Sequence, residues 1–134
     1  MRYLKDEEFN IASRFLFLSM ARVVIQLDIE NIEQGPFKIK NPYLSLLRKM
    51  ISKATNERRH LRKLMKDKSI QVVIQHKNET FTTVLFLCNG KEEHRDYFNP
   101  AIRKKVEVII QELIQPNLDH HRDFEVNDDV GSVH

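Results

Sequence analysis

The basic side chains of this protein are concentrated in one stretch, residues 41–68. The stretch has nine Lys and Arg but only two acidic residues, whereas the whole chain has 22 basic and 19 acidic residues and a net charge of +3. Lys and Arg bind phosphates by neutralising their charge and releasing counterions. We therefore predict a nucleic-acid-binding helix face. Seven cations fall on one side of a helical wheel: Arg48, Lys49, Lys53, Arg59, Arg62, Lys63 and Lys66.

The same charge pattern has a second interpretation, in which the cations are solvated or paired with acidic groups elsewhere in the chain. A net charge of +3 is low for a dedicated DNA-binding protein. Residues 43–66 contain no Gly or Pro that would form the turn of a helix-turn-helix. A protein-interaction module, such as an adaptor or inhibitor that does not bind nucleic acid, therefore stays open as the alternative.

A second group of reactive side chains lies in residues 92–97, which hold two Glu, one His, one Arg, one Asp and one Tyr. A histidine beside carboxylates can act as a general base or as a metal ligand. In an extended strand, however, His94 shares its face only with Glu92 and Asp96, and ion pairs between strands explain the composition equally well. We predict no catalytic residue and no enzyme activity.

The remaining metal-binding residue types do not form a specific pattern. Cys88 is the single cysteine, so it cannot form an internal disulfide or build a zinc site alone. Adjacent histidines in residues 119–123 could chelate a metal, but four ligands at defined spacing are absent. We predict no metal and no cofactor.

Two long helices are expected to carry most of these residues. Nothing interrupts a helix from Asp6 to Gln34, and the pair Gly35-Pro36 ends it. In the pair Asn41-Pro42, Asn is predicted to be the N-cap and Pro the first residue of a second helix that extends to about Lys66.

The second half of the chain has strand chemistry followed by a closing helix. Residues 69–76 and 80–88 are predicted strands, and Asn89-Gly90 is a strong signal for a two-residue hairpin turn. Residues 91–98 form either a third strand or an ordered loop. A last helix is predicted from Asn99-Pro100 to about Gln115. The fold class is therefore α+β, with an antiparallel hairpin or three-stranded meander in the order α-α-β-β-(β)-α.

The first helix has two apolar stripes on roughly opposite sides, which indicates burial against two partners. At 1.5 Å per residue the helix is about 43 Å long, more than the roughly 35 Å diameter of a compact chain of this size. We therefore predict a homodimer that forms along the second stripe. Its interface residues are predicted to be Ile11, Phe15, Leu18, Ile25 and Ile29. The alternative is a central helix that the rest of one chain surrounds.

Length and composition predict one domain, residues 1–115, and an acidic disordered tail, residues 116–134. The tail has one Arg and five acidic residues. It serves either for solubility or as a segment that folds back on the basic helix. No apolar run reaches the length of about 18 residues that a membrane span needs. The first residues are acidic, unlike a signal peptide, so a cytoplasmic location is predicted.

Two segments resemble a known family. They are residues 36–43, Pro-Phe-Lys-Ile-Lys-Asn-Pro-Tyr, and residues 86–100, Phe-Leu-Cys-Asn-Gly-Lys-Glu-Glu-His-Arg-Asp-Tyr-Phe-Asn-Pro. With the pattern of the first helix, they are similar to small uncharacterised cytoplasmic proteins of spore-forming Gram-positive bacteria and their phages. The resemblance covers roughly residues 3–115 and implies a bacterial or phage origin. It implies no activity, so no functional residues are transferred.

Together these features predict a non-enzymatic regulatory homodimer that contacts DNA or RNA through its basic helix.

Overall fold

The computed structural model describes residues 3–115 and has three helices and three strands within that range. The predicted α+β class and element order are confirmed, and residues 91–98 form the third strand. The elements are α1 (Asp6–Gln34), α2 (Asn41–Lys68), β1 (Ile70–Lys77), β2 (Phe81–Cys88), β3 (Lys91–Phe98) and α3 (Asn99–Ile114). The tail prediction, residues 116–134, lies outside the described residues.

The three strands form an antiparallel sheet in the order β1-β2-β3. Asn89 and Gly90 join β2 to β3 with φ values of 48° and 81°. Positive φ at both central residues matches the right-handed twist of a tight hairpin, which is why the Asn-Gly pair predicted this turn correctly. The ladder between β1 and β2 is interrupted by an irregularity between Ile74 and His76.

The two Asn-Pro pairs do not cap their helices as predicted. The N-cap of α2 is Lys40, whose carbonyl accepts a 3.0 Å hydrogen bond from the Leu44 amide, and Asn41 is already helical. The N-cap of α3 is Phe98. The Asn99 side chain instead accepts from the Thr82 hydroxyl at 2.8 Å and so ties α3 to the sheet.

Gly35 follows the last residue of α1, as the Gly-Pro pair predicted. Its φ of −88° is not left-handed, so the glycine is needed for another reason. A Cβ at this position would lie 2.6 Å from the carbonyl oxygen of Asn31. The end of α1 therefore requires a residue without a side chain because the chain passes close to its own backbone.

The core lies between one face of the sheet and α1. The side chains of β2 alternate, with Thr82, Val84, Phe86 and Cys88 buried on the inner face. The ring of Phe9 in α1 packs on that of Phe86 with centroids 4.8 Å apart. Arg14 pairs with Glu57 and Glu33 pairs with Arg48, so α2 runs antiparallel to α1. The α3 helix contacts both.

The predicted dimer stripe on α1 is largely covered by the chain itself. Leu18, Ile25 and Ile29 are at most 5% exposed, and Ile11 and Phe15 are partly buried against the core. The expectation that this stripe lacks cover was wrong because α1 packs against α2, α3 and the sheet at once. A second copy could therefore not bury the three core residues.

The apolar side chains that α1 does expose belong mainly to its other stripe. Val23 and Leu27 are 57% and 52% exposed, and the neighbouring Val24 is 39% exposed. They lie beyond the part of α1 that packs on the sheet through Phe9 and Phe17.

The start of α1 is tied to the β2–β3 hairpin by an ion pair. The Lys91 ammonium lies 2.7 Å from Glu8 Oε1, and both side chains are 14% exposed. The same oxygen accepts from the Lys5 amide. The hydrogen bonds from Lys91 and Lys5 lower the pKa of Glu8 from 4.5 to about 2.

This pair predicts a contribution to acid sensitivity. A carboxylate with a lowered pKa stabilises the fold above pH 4.5, and this stabilisation is lost as the pH falls from 4.5 toward about 2. We expect Glu8→Gln to lose less stability than the wild type over that interval in urea melts. Glu92→Gln, at an exposed position, should follow the wild type. Identical pH slopes for wild type and Glu8→Gln would contradict the prediction.

Candidate nucleic-acid interface

The α2 helix exposes its cations because its apolar side is used for packing. Five residues of that side are buried: Leu44, Met50, Ala54, Leu61 and Met65. At 3.6 residues per turn, the positions between them point away from α1. The segregation of charge seen on the helical wheel is thus preserved in the fold.

Four of the predicted cations form one exposed cluster near the C-terminal end of α2. We call Arg59, Arg62, Lys63 and Lys66 the α2 ridge; all four side chains are exposed. Arg59 donates to the Asn56 side chain at 3.3 Å, within the same helix. None of the four lies in an ion pair with a carboxylate of residues 3–115. No carboxylate of the described residues therefore neutralises their charge.

The three remaining predicted cations lie nearer the start of α2 and differ from the ridge. Arg48 forms an ion pair with Glu33 at 2.6 Å. The Lys53 ammonium donates to the carbonyl oxygens of Leu113 at 3.3 Å and Gln115 at 2.5 Å, where it offsets the negative end of α3. Lys49 is exposed. Lys53 is thus engaged in a structural contact, and Arg48 has a carboxylate partner.

Two further arginines, which the sequence analysis did not include, enlarge the basic surface. The Arg58 Nε donates to the Ser19 hydroxyl at 2.7 Å, and its guanidinium lies 4.9 Å from the centre of the Phe15 ring. The Arg22 Nε donates to the Thr55 hydroxyl at 2.9 Å. Both contacts bridge α1 and α2.

These arginines repel one another. Burial, followed by the positive charges of Arg62 and Arg22, lowers the pKa of Arg58. Burial is the largest cause of this shift, and the smaller contributions of Arg62 and Arg22 show that these two cations lie close to Arg58. At 100° per residue Arg58 falls within the apolar side of α2, and Arg22 lies on another helix, so the sequence alone gave no signal that they meet.

The reactive residues of β3 lie on the two faces that alternation predicted. On the inner face Arg95 pairs with Glu93 at 2.7 Å and lies over the ring of Phe9. On the outer face His94 is exposed opposite Leu85. Asp96 accepts from the Thr83 hydroxyl at 2.6 Å. Glu93 and Asp96 are therefore engaged in structural contacts.

The other candidate chemical groups are equally constrained. Cys88 is buried, and burial followed by its interaction with Glu8 raises the pKa of the thiol. No group of three or more His, Cys, Asp or Glu side chains within the described part of the chain could hold a metal ion. The two adjacent histidines at positions 120 and 121 lie outside that part.

Comparison with known proteins places the fold in a family. A family model described as "YhjD protein" matches residues 3–118, which include all of the described residues. The chain belongs to the YhjD family. It is 32% identical over 118 residues to "Uncharacterized protein YhjD" of Bacillus subtilis (strain 168). The aligned region covers 87% of this chain and 98% of that relative. The resemblance to an uncharacterised Gram-positive family is thereby confirmed.

The YhjD match extends from the start of α1 past the end of α3 and stops at residue 118. No solved structure matches the chain. Among the helices of residues 3–115, none has the length and apolar character required to cross a bilayer. The YhjD relative's name assigns no substrate or partner, so the function must be argued from the surface of this chain.

Proposed function

We propose that this protein is a small, non-enzymatic regulatory protein that contacts nucleic acid through the α2 ridge. The observation that carries the proposal is the exposure of four clustered cations that lack carboxylate partners within residues 3–115. Arg59 and Lys66, the first and last residues of the ridge, are seven positions apart, which corresponds to about 10 Å along the helix axis. Cations at that spacing can neutralise several phosphates of one backbone.

Arg22 and Arg58 support the proposal because hydroxyl groups, not carboxylates, hold their Nε atoms. A guanidinium has five donors in a planar fork, and it binds phosphate oxygens in pairs. The contacts to Thr55 and Ser19 therefore orient the two side chains without neutralising their charge.

The salt dependence of binding is the direct test of this proposal. We expect the nuclease-treated wild-type protein to bind a 20-nucleotide single strand or a 20-base-pair duplex at low salt, as measured by fluorescence anisotropy. If four phosphates are neutralised, the logarithm of the duplex binding constant should fall against the logarithm of salt concentration with a slope of about −3.6. Absence of binding to either probe at low salt would overturn the proposal.

We further propose that the protein is a homodimer, now through the exposed aliphatic patch of Val23, Val24 and Leu27. Exposed aliphatic side chains adjacent on one helix are a suitable surface for a second copy. A dimer would carry two α2 ridges in one particle, and simultaneous contact by both would raise a weak affinity.

Leu27→Asp is expected to convert the dimer to a monomer, because a carboxylate at the centre of an apolar interface would be desolvated without a partner. Light scattering coupled to size-exclusion chromatography measures the mass. Ile39→Asp is the matched control, since Ile39 is 67% exposed in the connection between α1 and α2. A wild-type monomer, or a Leu27→Asp variant that stays dimeric, would contradict the prediction.

The alternative function is a protein-interaction module, and one specific observation favours it. The outer face of the sheet exposes Phe81 and Phe98, which are 44% and 51% exposed with ring centroids 5.8 Å apart. Val73 on β1 is also 43% exposed. Affinity purification with and without nuclease separates the two functions: partners retained after nuclease treatment, with no binding to purified oligonucleotides, would favour the interaction module.

A further inference from the structure

We propose that the acidic segment 116–134 binds the α2 ridge of its own chain and competes there with phosphates. This inference rests on the proposed function only for the identity of the competing ligand. The docking itself depends on where the chain leaves α3, on the number of residues beyond that point and on complementary charge.

The chain leaves α3 directly against α2. The carbonyl oxygen of Gln115, the last described residue, accepts a 2.5 Å hydrogen bond from the Lys53 ammonium, and the same ammonium contacts the Leu113 carbonyl. Lys53 precedes the ridge by 6 to 13 residues on the same helix, which corresponds to about 9–20 Å along its axis. The described chain therefore ends, at Gln115, next to the helix that carries the ridge.

The number of residues beyond Gln115 is sufficient for the acidic groups to reach the ridge. The first acid, Asp119, is four residues beyond Gln115, and the last, Asp129, is fourteen residues beyond it. At about 3.3 Å per extended residue these positions can lie as far as about 13 Å and 46 Å from the exit point. The four acids from Asp123 onward can therefore reach the whole ridge, and Asp119 can reach its near end.

The charges of the two segments are complementary. Residues 116–134 have a net charge of −4, and the ridge has four cations without carboxylate partners in the described chain. The acidic residues of the segment are Asp119, Asp123, Glu125, Asp128 and Asp129.

All five of these acids lie beyond residue 118, where the family match ends. The matched Bacillus relative is nearly fully covered by 118 aligned residues. The acids that would dock on the ridge therefore lie outside the part of the chain that matches the family.

Docking can be measured without any nucleic acid. A nitroxide spin label is attached to the full chain at Ser132→Cys, while buried Cys88 stays unlabelled. At low salt we expect loss of amide signal intensity at residues 59–66 but not at Val73 or Leu85 on the sheet. High salt should restore the signals. Uniform or absent signal loss would overturn the inference.

The charge requirement is tested by neutralising the five acids of the segment, Asp to Asn and Glu to Gln. A matched control neutralises five exposed acids on other elements: Asp28, Glu30, Glu79, Glu92 and Glu107. We expect only the first variant to abolish the spin-label effect. Equal loss in both variants would contradict specific docking and indicate a response to overall charge.

Binding to a 20-nucleotide single strand then separates this inference from the proposed function. We expect the neutralised segment to raise affinity about tenfold above the matched control at low salt, because an intramolecular competitor is removed. A spin-label effect without any oligonucleotide binding would leave the docking intact and overturn the proposed function. Oligonucleotide binding with no spin-label effect would overturn the docking inference and leave the proposed function intact.

Discussion

Changing Arg59 and Arg62 together to glutamate is expected to lower the affinity for oligonucleotides by about 100-fold at low salt. Two attractive charges in the α2 ridge become repulsive, and of the ridge only Lys63 and Lys66 remain to contact phosphates. The slope of binding against salt should also become shallower. Fluorescence anisotropy at several salt concentrations measures both quantities.

The control for this variant changes Arg103 and Lys104 on α3 to glutamate. Both residues are exposed, and the substitution alters the net charge by the same amount. We expect a several-fold loss at most, because only the long-range field is reduced. If both double variants lose affinity equally, the binding depends on overall charge, and the ridge is not the binding site.

Arg14→Leu is expected to destabilise the fold by about 3 kcal/mol, since it leaves partly buried carboxylates without their cation. The Arg14 guanidinium contacts Glu57 at 2.7 and 3.0 Å and Glu112 at 2.9 Å, so one side chain joins all three helices. Burial opposes the charged form of Arg14, but the hydrogen bonds and charges of both glutamates keep its pKa above the ordinary value. Urea denaturation measures the loss.

A surface pair provides the comparison for Arg14. Arg48 and Glu33 are 57% and 44% exposed, so Arg48→Leu should cost less than about 1 kcal/mol. The double variant Arg14→Leu with Glu57→Leu should recover part of the stability, because apolar side chains replace an ion pair. Equal effects of Arg14→Leu and Arg48→Leu would show that the three-helix network contributes little.

Local signals in the sequence predicted the elements well because each depended on a few adjacent residues. The turn at Asn89-Gly90 and the end of α1 at Gly35 are dictated by backbone geometry and close approach. The third strand could not be distinguished from a loop because its polar residues show no apolar alternation. Its pairing with β2 arises from the hairpin turn and from contacts between the strands such as Thr83 with Asp96.

The apolar stripes of α1 were correctly recognised, but their partners were not. Periodicity shows that Ile25 and Ile29 must be buried, yet it does not show whether the cover comes from the same chain or from another. The structure buries them with α2 and leaves Val23 and Leu27 exposed because α1 is longer than its contact with the sheet. The packing of α1 against the other elements decides which of its two apolar stripes stays exposed.

The same limit applies to the candidate interface. The wheel identified the ridge, because one helix presents it. The helical wheel could not show that the Lys53 ammonium binds carbonyl oxygens at the end of α3. Nor could it show that Arg22 on α1 and Arg58 on α2 lie close together. These contacts join residues more than 30 positions apart, and their geometry follows only from the packed fold.

The length of α1 has a consequence for local stability. Between Val23 and Gln34 only Ile25 and Ile29 are buried, whereas β2 contains four buried side chains in eight residues. Segments with few buried contacts open without global unfolding. Backbone amides near Leu27 are therefore expected to exchange with deuterium much earlier than those around Phe86, and binding of a second copy at the aliphatic patch would slow that exchange selectively.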